Sequence, residues 1–349
     1  MRSFGKSTVS TTRTGIDSAM TQAQPSRICI YGAGAIGGWL GVRLARRGHS
    51  LSAVARGQTL ANLRANGLCL REGQQTDCVP IKASDRPSEL GVQDLVVLAV
   101  KAPAMLEVAR HMAPLLGPDT VVLTAMNGVP WWFLHEFGGA CKNARLQSVD
   151  ATGEIGAAIS ADRVIGCVVH ASCAQAAPGV VQHHFGNGLI LGEPSGQATA
   201  RVKAIAAMLQ HSGFETSVSE QIQRDIWYKL WGNMTVNPIS ALTGATTDLI
   251  MDDELVRNFI SSVMLEAREI GARIGIPITQ QPEDRHAVTR KLGAFKTSML
   301  QDVQASRAVE LDALVTVVRE LGALTGVPTP QTDTLLGLAR LHARVRGLY

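Results

Sequence analysis

Short apolar runs alternate with longer amphipathic ones through the first two-thirds of the chain. Ile28–Tyr31, Leu51–Ala55, Asp94–Val100 and Thr120–Ala125 read as strands. The stretches Trp39–Arg47, Thr59–Asn66 and Ala104–Leu116 between them read as helices. DLVVLAV at 94–100 is apolar without alternation, as parallel strands are when both faces are covered. Strand–helix alternation of this kind predicts a doubly wound parallel sheet. After about Val149 the strand-like segments Val164–Ser172, Gly179–His184, Leu189–Leu191 and Glu215–Val218 are punctuated by Gly and Pro, with a helix over Ala200–Gln210. They predict an antiparallel or mixed extension of the sheet. From Ile222 onward the period is helical almost throughout: Ile222–Asn237, Asp253–Ile274, Pro282–Lys291, Met299–Gly322 and Thr332–Arg346. The fold expected is α/β, with an N-terminal Rossmann-type dinucleotide-binding domain over 27–218 and a C-terminal all-helical domain over 219–349. Residues 1–26, rich in Ser, Thr and Arg and without apolar periodicity, are expected to be a disordered leader, a transit peptide, or the product of an upstream start before Met20.

The junction of the first strand and first helix carries the sharpest chemistry. It reads Gly32-Ala33-Gly34-Ala35-Ile36-Gly37. The first glycine permits a tight turn, the second lets the backbone approach a pyrophosphate, and the third lets helix and strand pack closely. Phosphates then meet free N–H groups at the helix N-terminus. The second strand ends in Arg56, where NAD-binding folds carry an acid. A guanidinium pairs with a 2′-phosphate and a carboxylate repels it, so Arg56 points to NADP(H). A solvated loop arginine is the structural alternative.

Hydrophobic residues make up 46% of 349 residues and charged residues 18%, which suits a compact protein large enough for two domains. A net charge of +4, with dispersed basic residues, gives no nucleic-acid footprint. No apolar run reaches membrane-spanning length. The six cysteines form no CxxC and are read as reduced, mostly buried thiols of a cytoplasmic protein. No His/Cys group has metal-ligand spacing, and the adjacent His183 and His184 would point to opposite faces of a strand.

Three polar groups stand where a helical core does not need them. Lys229, Asn233 and Asn237 recur every fourth residue beside Trp227, Leu230, Trp231 and Met234, along one edge of a helix that Pro238 is expected to end or kink. A lysine desolvated there would have a lowered pKa suited to acid–base chemistry, whereas a snorkelling lysine would be structural. Glu310 falls on the apolar stripe of Val303, Leu314, Val317 and Leu321, and wants a ligand or an ion pair such as Arg307. Lys101 and Asn127 each follow a buried strand, at the carboxyl edge where open sheets bind ligands.

Together these segments resemble the ketopantoate reductase (2-dehydropantoate 2-reductase) family. The matching stretches are GAGAIG at 32–37, Arg56, VKA at 100–102, MNG at 126–128, YKLWGNMTVNPISALTG at 228–244 and SMLQDVQASRAVELD at 298–312. The resemblance implies NADPH-dependent reduction of the 2-ketone of ketopantoate to pantoate. It implies Lys229 as general acid, and Asn127, Asn233, Asn237 and Ser298 as substrate contacts. Gly32–Gly37, Arg56, Lys101, Asn127 and Glu310 would serve the cofactor, Glu310 also reaching the substrate hydroxyl. Thr247 stands where the family often has Asn. The expected partners are a small keto acid and a second copy of the chain in a homodimer. A reductase of another small keto acid, or an NADP-binding sensor without turnover, are the competing readings. Lys229 and Glu310 speak against the sensor, which needs no proton donor.

Overall fold

A computed structural model describes residues 26–349; all but the last residue of the expected leader lies outside them. The strands are β1 (Arg27–Tyr31), β2 (Ser50–Val54), β3 (Leu68–Glu72), β4 (Gln75–Val79), β5 (Lys82–Ser84), β6 (Gln93–Leu98), β7 (Leu116–Thr124), β8 (Val164–Ala177), β9 (Val180–Gly192) and β10 (Glu215–Val218). Among them run helices α1 (Ala35–Ala45), α2 (Gly57–Asn66), α3 (Met105–His111), α4 (Glu154–Ala158) and α5 (Ala200–His211). The remaining helices follow the sheet: α6 (Ile222–Thr243), α7 (Thr247–Asp252), α8 (Glu254–Arg273), α9 (Pro282–Arg290), α10 (Ser298–Gln304), α11 (Val317–Thr325) and α12 (Pro330–Val345). The protein is thus an N-terminal Rossmann-type α/β domain followed by an all-helical one.

All strands join one sheet in the order β4-β3-β9-β8-β7-β6-β1-β2-β5, with β10 beside β9. From β5 to β8 every pairing is parallel, and β8 and β9 form a long antiparallel hairpin. One face of the sheet packs with α1, α2 and α5 in a core built on Ile30, Leu40, Leu44 and Val97. The other face is continuous with the helical domain: Val96, Leu98 and Val122 share a core with Trp227, Trp231, Ile260 and Leu321. The backbone bonds across this contact as well, Val129 N–H donating to Ala313 O at 2.9 Å. Gly128 makes the approach feasible, since a Cβ there would lie 2.4 Å from Ala313 O.

Several expectations need correction. Leu68–Ser84 forms β3, β4 and β5, which the apolar reading passes over. Gly73-Gln74 is a two-residue turn between β3 and β4, and that signal was legible. Cys69 and Cys78 lie opposite one another across this antiparallel pair and form a disulfide, against the expectation of six reduced thiols. The helix expected to reach Leu116 stops at His111; Pro114 lacks the N–H a helix needs, and Leu116 already begins β7. Pro238 does not end its helix. α6 runs on to Thr243 and stops at the left-handed Gly244, with Pro238 buried among apolar neighbours that hold the segment.

The single helix expected over Met299–Gly322 is two. α10 ends at Gln304, and Ser306 takes a left-handed φ of 51° that a continuing helix forbids. Arg307 turns back, its backbone N–H on Asp302 O at 2.8 Å. Helix resumes only at Leu311, through a π-type turn at Asp312–Thr316. Ser298 therefore opens α10 while Glu310 stands in the non-helical stretch just before the π-type turn.

Candidate active site

The glycine turn divides its three tasks as the spacing requires. Gly32 has φ 97°, and a Cβ there would strike the Val100 side chain and Ala99 backbone. At Gly37 a Cβ would lie 2.1 Å from Gly32 O, so helix and strand touch backbone to backbone. Gly34, the residue before α1, has ordinary φ of −86°, and nothing stands within 4 Å of where its Cβ would be. That open space lies on the N-terminus of α1, where orphan N–H groups and the helix dipole favour an anion. Ala35 and Ile36 open the helix beside it, and Ala33 is buried behind it. The cradle fits the phosphates of a dinucleotide.

Arg56 closes β2 and precedes α2, whose first residue is Gly57. Its guanidinium is half exposed and pairs with Glu107 of α3 at 2.7 Å. Both side chains of the pair are half exposed, so Arg56 is a surface loop arginine in a solvated ion pair.

Two carboxylates of the helical domain meet the end of β6. Glu310, buried, accepts the Ala102 backbone N–H at 3.0 Å, and burial pushes its carboxyl pKa up. Its partner is not Arg307. That guanidinium goes to buried Asp302 at 3.1 Å, and Lys101 pairs with the same carboxylate.

Lys229 reaches from α6 to the carboxyl edge of the sheet. Its Nζ donates to Asn127 Oδ1 and to Val169 O, both at 2.8 Å. Burial, reinforced by the nearby Arg285 guanidinium and opposed by Glu310, brings its pKa down to about 8. One and two turns further along α6 stand Asn233, half-buried, and Asn237, buried. Among the described residues neither amide has a side-chain hydrogen-bond partner, so both keep their full capacity for a ligand. Asn127 also lines a cavity of about 110 Å³ with Ala102, Trp131, Ser148, Glu310 and Asp312. This cavity lies where the strand ends of the first domain face the second.

The structure therefore gathers Lys229, Asn127, Glu310, Lys101 and Asp302 at the carboxyl ends of β6 and β7. Ser298 is not drawn in by any hydrogen bond; it opens α10 and is exposed. Thr247 takes a structural part, its hydroxyl on Gly293 O at 2.6 Å. Sequence reading missed three contributors. Val169 acts through a backbone carbonyl, which no side-chain pattern reveals. Asp302 sits inside the SMLQD segment, where its burial was readable from its neighbours. Arg285 lies in a helix whose other residues are mostly polar.

Comparison with known proteins bears on the family and the fold. Residues 28–196 match the family model described as ketopantoate reductase PanE/ApbA, and residues 221–343 match its C-terminal model. A 2-dehydropantoate 2-reductase of Mesorhizobium japonicum is 44% identical over 93% of this chain and 99% of its own. One from Halobacterium salinarum is 26% identical over 91% and 99%. A crystal structure of a candidate ketopantoate reductase from Ralstonia solanacearum MolK2 is 56% identical, covers 93% of this chain and 99% of its own, and superposes with a TM-score of 0.90. With both halves of the fold matched and the relatives covered end to end, the chain belongs to the ketopantoate reductase family.

Proposed function

We propose that the protein reduces the 2-ketone of 2-dehydropantoate with NADPH, giving pantoate. One observation carries the reading most: two of the three ammonium protons of Lys229 are spent on Asn127 and Val169, leaving one for a ligand. A bound nicotinamide supplies the hydride. Negative charge then grows on the ketone oxygen, and the Lys229 ammonium stabilises it and gives it a proton. A lysine near 8 is mostly protonated at neutral pH yet releases its proton more readily than an ordinary one, which suits the task. Asn233 and Asn237 orient the substrate. Glu310, already tied to the end of β6, fixes the separation of sheet and helical domain and reaches the hydroxyl that forms. Gly32–Gly37 hold the pyrophosphate, Arg56 the 2′-phosphate, and Lys101 and Asn127 the ribose and nicotinamide.

The test is NADPH oxidation against a panel of 2-keto acids that includes 2-dehydropantoate. The expected result is the highest kcat/KM for 2-dehydropantoate. Preference for another keto acid reassigns the substrate, and no turnover with any of them leaves the reductase reading without support.

A further inference from the structure

α9 packs against α7 and α8 and sends Arg285 across to α6, the helix that carries Lys229. The guanidinium fills the notch left by Gly232, where a Cβ would lie 2.6 Å from both Nε and Nη2. It also stacks on Tyr228, its Cζ 5.6 Å from the ring centroid. Nε is buried without a hydrogen-bond partner, and no carboxylate among the described residues pairs with this arginine. The groups around it are mostly of its own sign: Lys229 and Arg285 both act on His170 of β8, whose imidazole burial already keeps neutral. Asp225, which faces His170, is held by the Ser219 hydroxyl. Glu310 acts on Lys229.

An unpaired, largely buried cation costs free energy, and an anion that reaches it would relieve that cost. Gly232, which the guanidinium covers, is three residues from Lys229 on α6, and the guanidinium is near enough for its charge to act on the ammonium. In a 2-keto acid the ketone and the carboxylate are on adjacent carbons. Groups that hold both must therefore be neighbours too. A guanidinium fork matches a carboxylate bidentately, which a lysine or an exposed serine such as Ser298 cannot do.

We propose that Arg285 binds the substrate carboxylate while Lys229 takes the ketone oxygen of the same molecule, making the site selective for 2-keto acids over neutral ketones. This inference rests on the reductase reading above and names what sets its substrate class.

The test compares 2-dehydropantoate with its neutral methyl ester in wild type, Arg285→Gln, Arg285→Lys and Gly232→Ala, by steady-state kinetics and by calorimetric titration. Arg285→Gln should raise KM and Kd for the acid roughly 10²-fold, with a smaller effect on kcat, and change the ester far less, only through the altered acidity of Lys229. The acid-over-ester preference should collapse in this variant and survive in part in Arg285→Lys. Gly232→Ala keeps the charge but displaces the guanidinium, so it too should weaken the acid and spare the ester. NADPH affinity should hold in all variants, which a merely structural arginine would not ensure. Wild type that turns over the acid, with Arg285→Gln retaining its KM and its preference, overturns the role of Arg285 alone. Wild type that neither binds nor reduces a 2-keto acid overturns the reductase reading, and this inference with it.

Discussion

Lys229 Nζ donates to Asn127 Oδ1 across 2.8 Å, so the helical domain places this ammonium on a residue three positions past the end of β7. The candidate proton donor is thereby set by the sheet edge that also carries the cofactor cradle. Neither domain alone holds it.

Loss of this lysine should cost chemistry and spare binding. Lys229→Ala should lower kcat by roughly 10²–10⁴, the range of a positioned acid. NADPH affinity, measured by fluorescence titration, should change little. Lys229→Arg should also fail, because guanidinium does not release a proton near neutral pH. Normal turnover by Lys229→Ala would make the residue structural.

The pH dependence has a definite sign. Lys229 is protonated below about 8 and neutral above it. Reduction needs the ammonium, so kcat/KM for the keto acid should be level below about 8 and fall with rising pH, approaching tenfold per unit. Oxidation of pantoate needs the free amine and should rise over the same range. Stability shifts too: a lysine held below its ordinary 10.5 disfavours the folded state at neutral pH, and that cost is relieved between about 8 and 10.5. A reduction profile flat through pH 9 would argue against Lys229 as donor.

Cofactor choice turns on Arg56. NADPH should bind at least tenfold tighter than NADH, about 1.4 kcal/mol, and Arg56→Ala should remove most of the difference. Glu107 now competes for the guanidinium, so Glu107→Gln should tighten NADPH further. Equal affinities of wild type for the two cofactors would end the NADP assignment.

Two glycines of one turn should respond oppositely to the same change. Gly34→Ala meets open space and an ordinary φ, so Tm should hold while NADPH affinity drops at least tenfold, the phosphates losing their clearance. Gly37→Ala puts a Cβ 2.1 Å from Gly32 O and should lower Tm by several degrees. If Gly34→Ala binds NADPH as wild type does, the space above α1 is not the phosphate site.

Strands with both faces buried, such as β6 and β7, and helices with long apolar stripes were readable from the chain, because burial and period are local properties. The glycine turn and the Lys229–Asn233–Asn237 edge were readable for the same reason. What failed was non-local or competitive. The Cys69–Cys78 bond depends on the register of β3 and β4, which single residues do not reveal. Pro238 breaks an isolated helix, but here tertiary packing outweighs the local penalty. The break after Gln304 hinges on the left-handed Ser306, a conformation that residue type does not announce. Glu310 was correctly marked as out of place, yet its partner is the Ala102 backbone N–H just after β6, far away in sequence.

The shared core behind Val129 and Ala313 bears on how this chain can be taken apart. Segment 27–218 on its own would leave Val96, Leu98, Val122 and Trp132 without the tryptophans and isoleucines of α6 and α8 that cover them. The sheet half and the helical half are thus not interchangeable modules. A chimera that joins the sheet of one relative to the helices of another must also carry over both sides of that seam. One that matches only the ligand-facing residues should expose apolar surface and aggregate, however well its site is drawn.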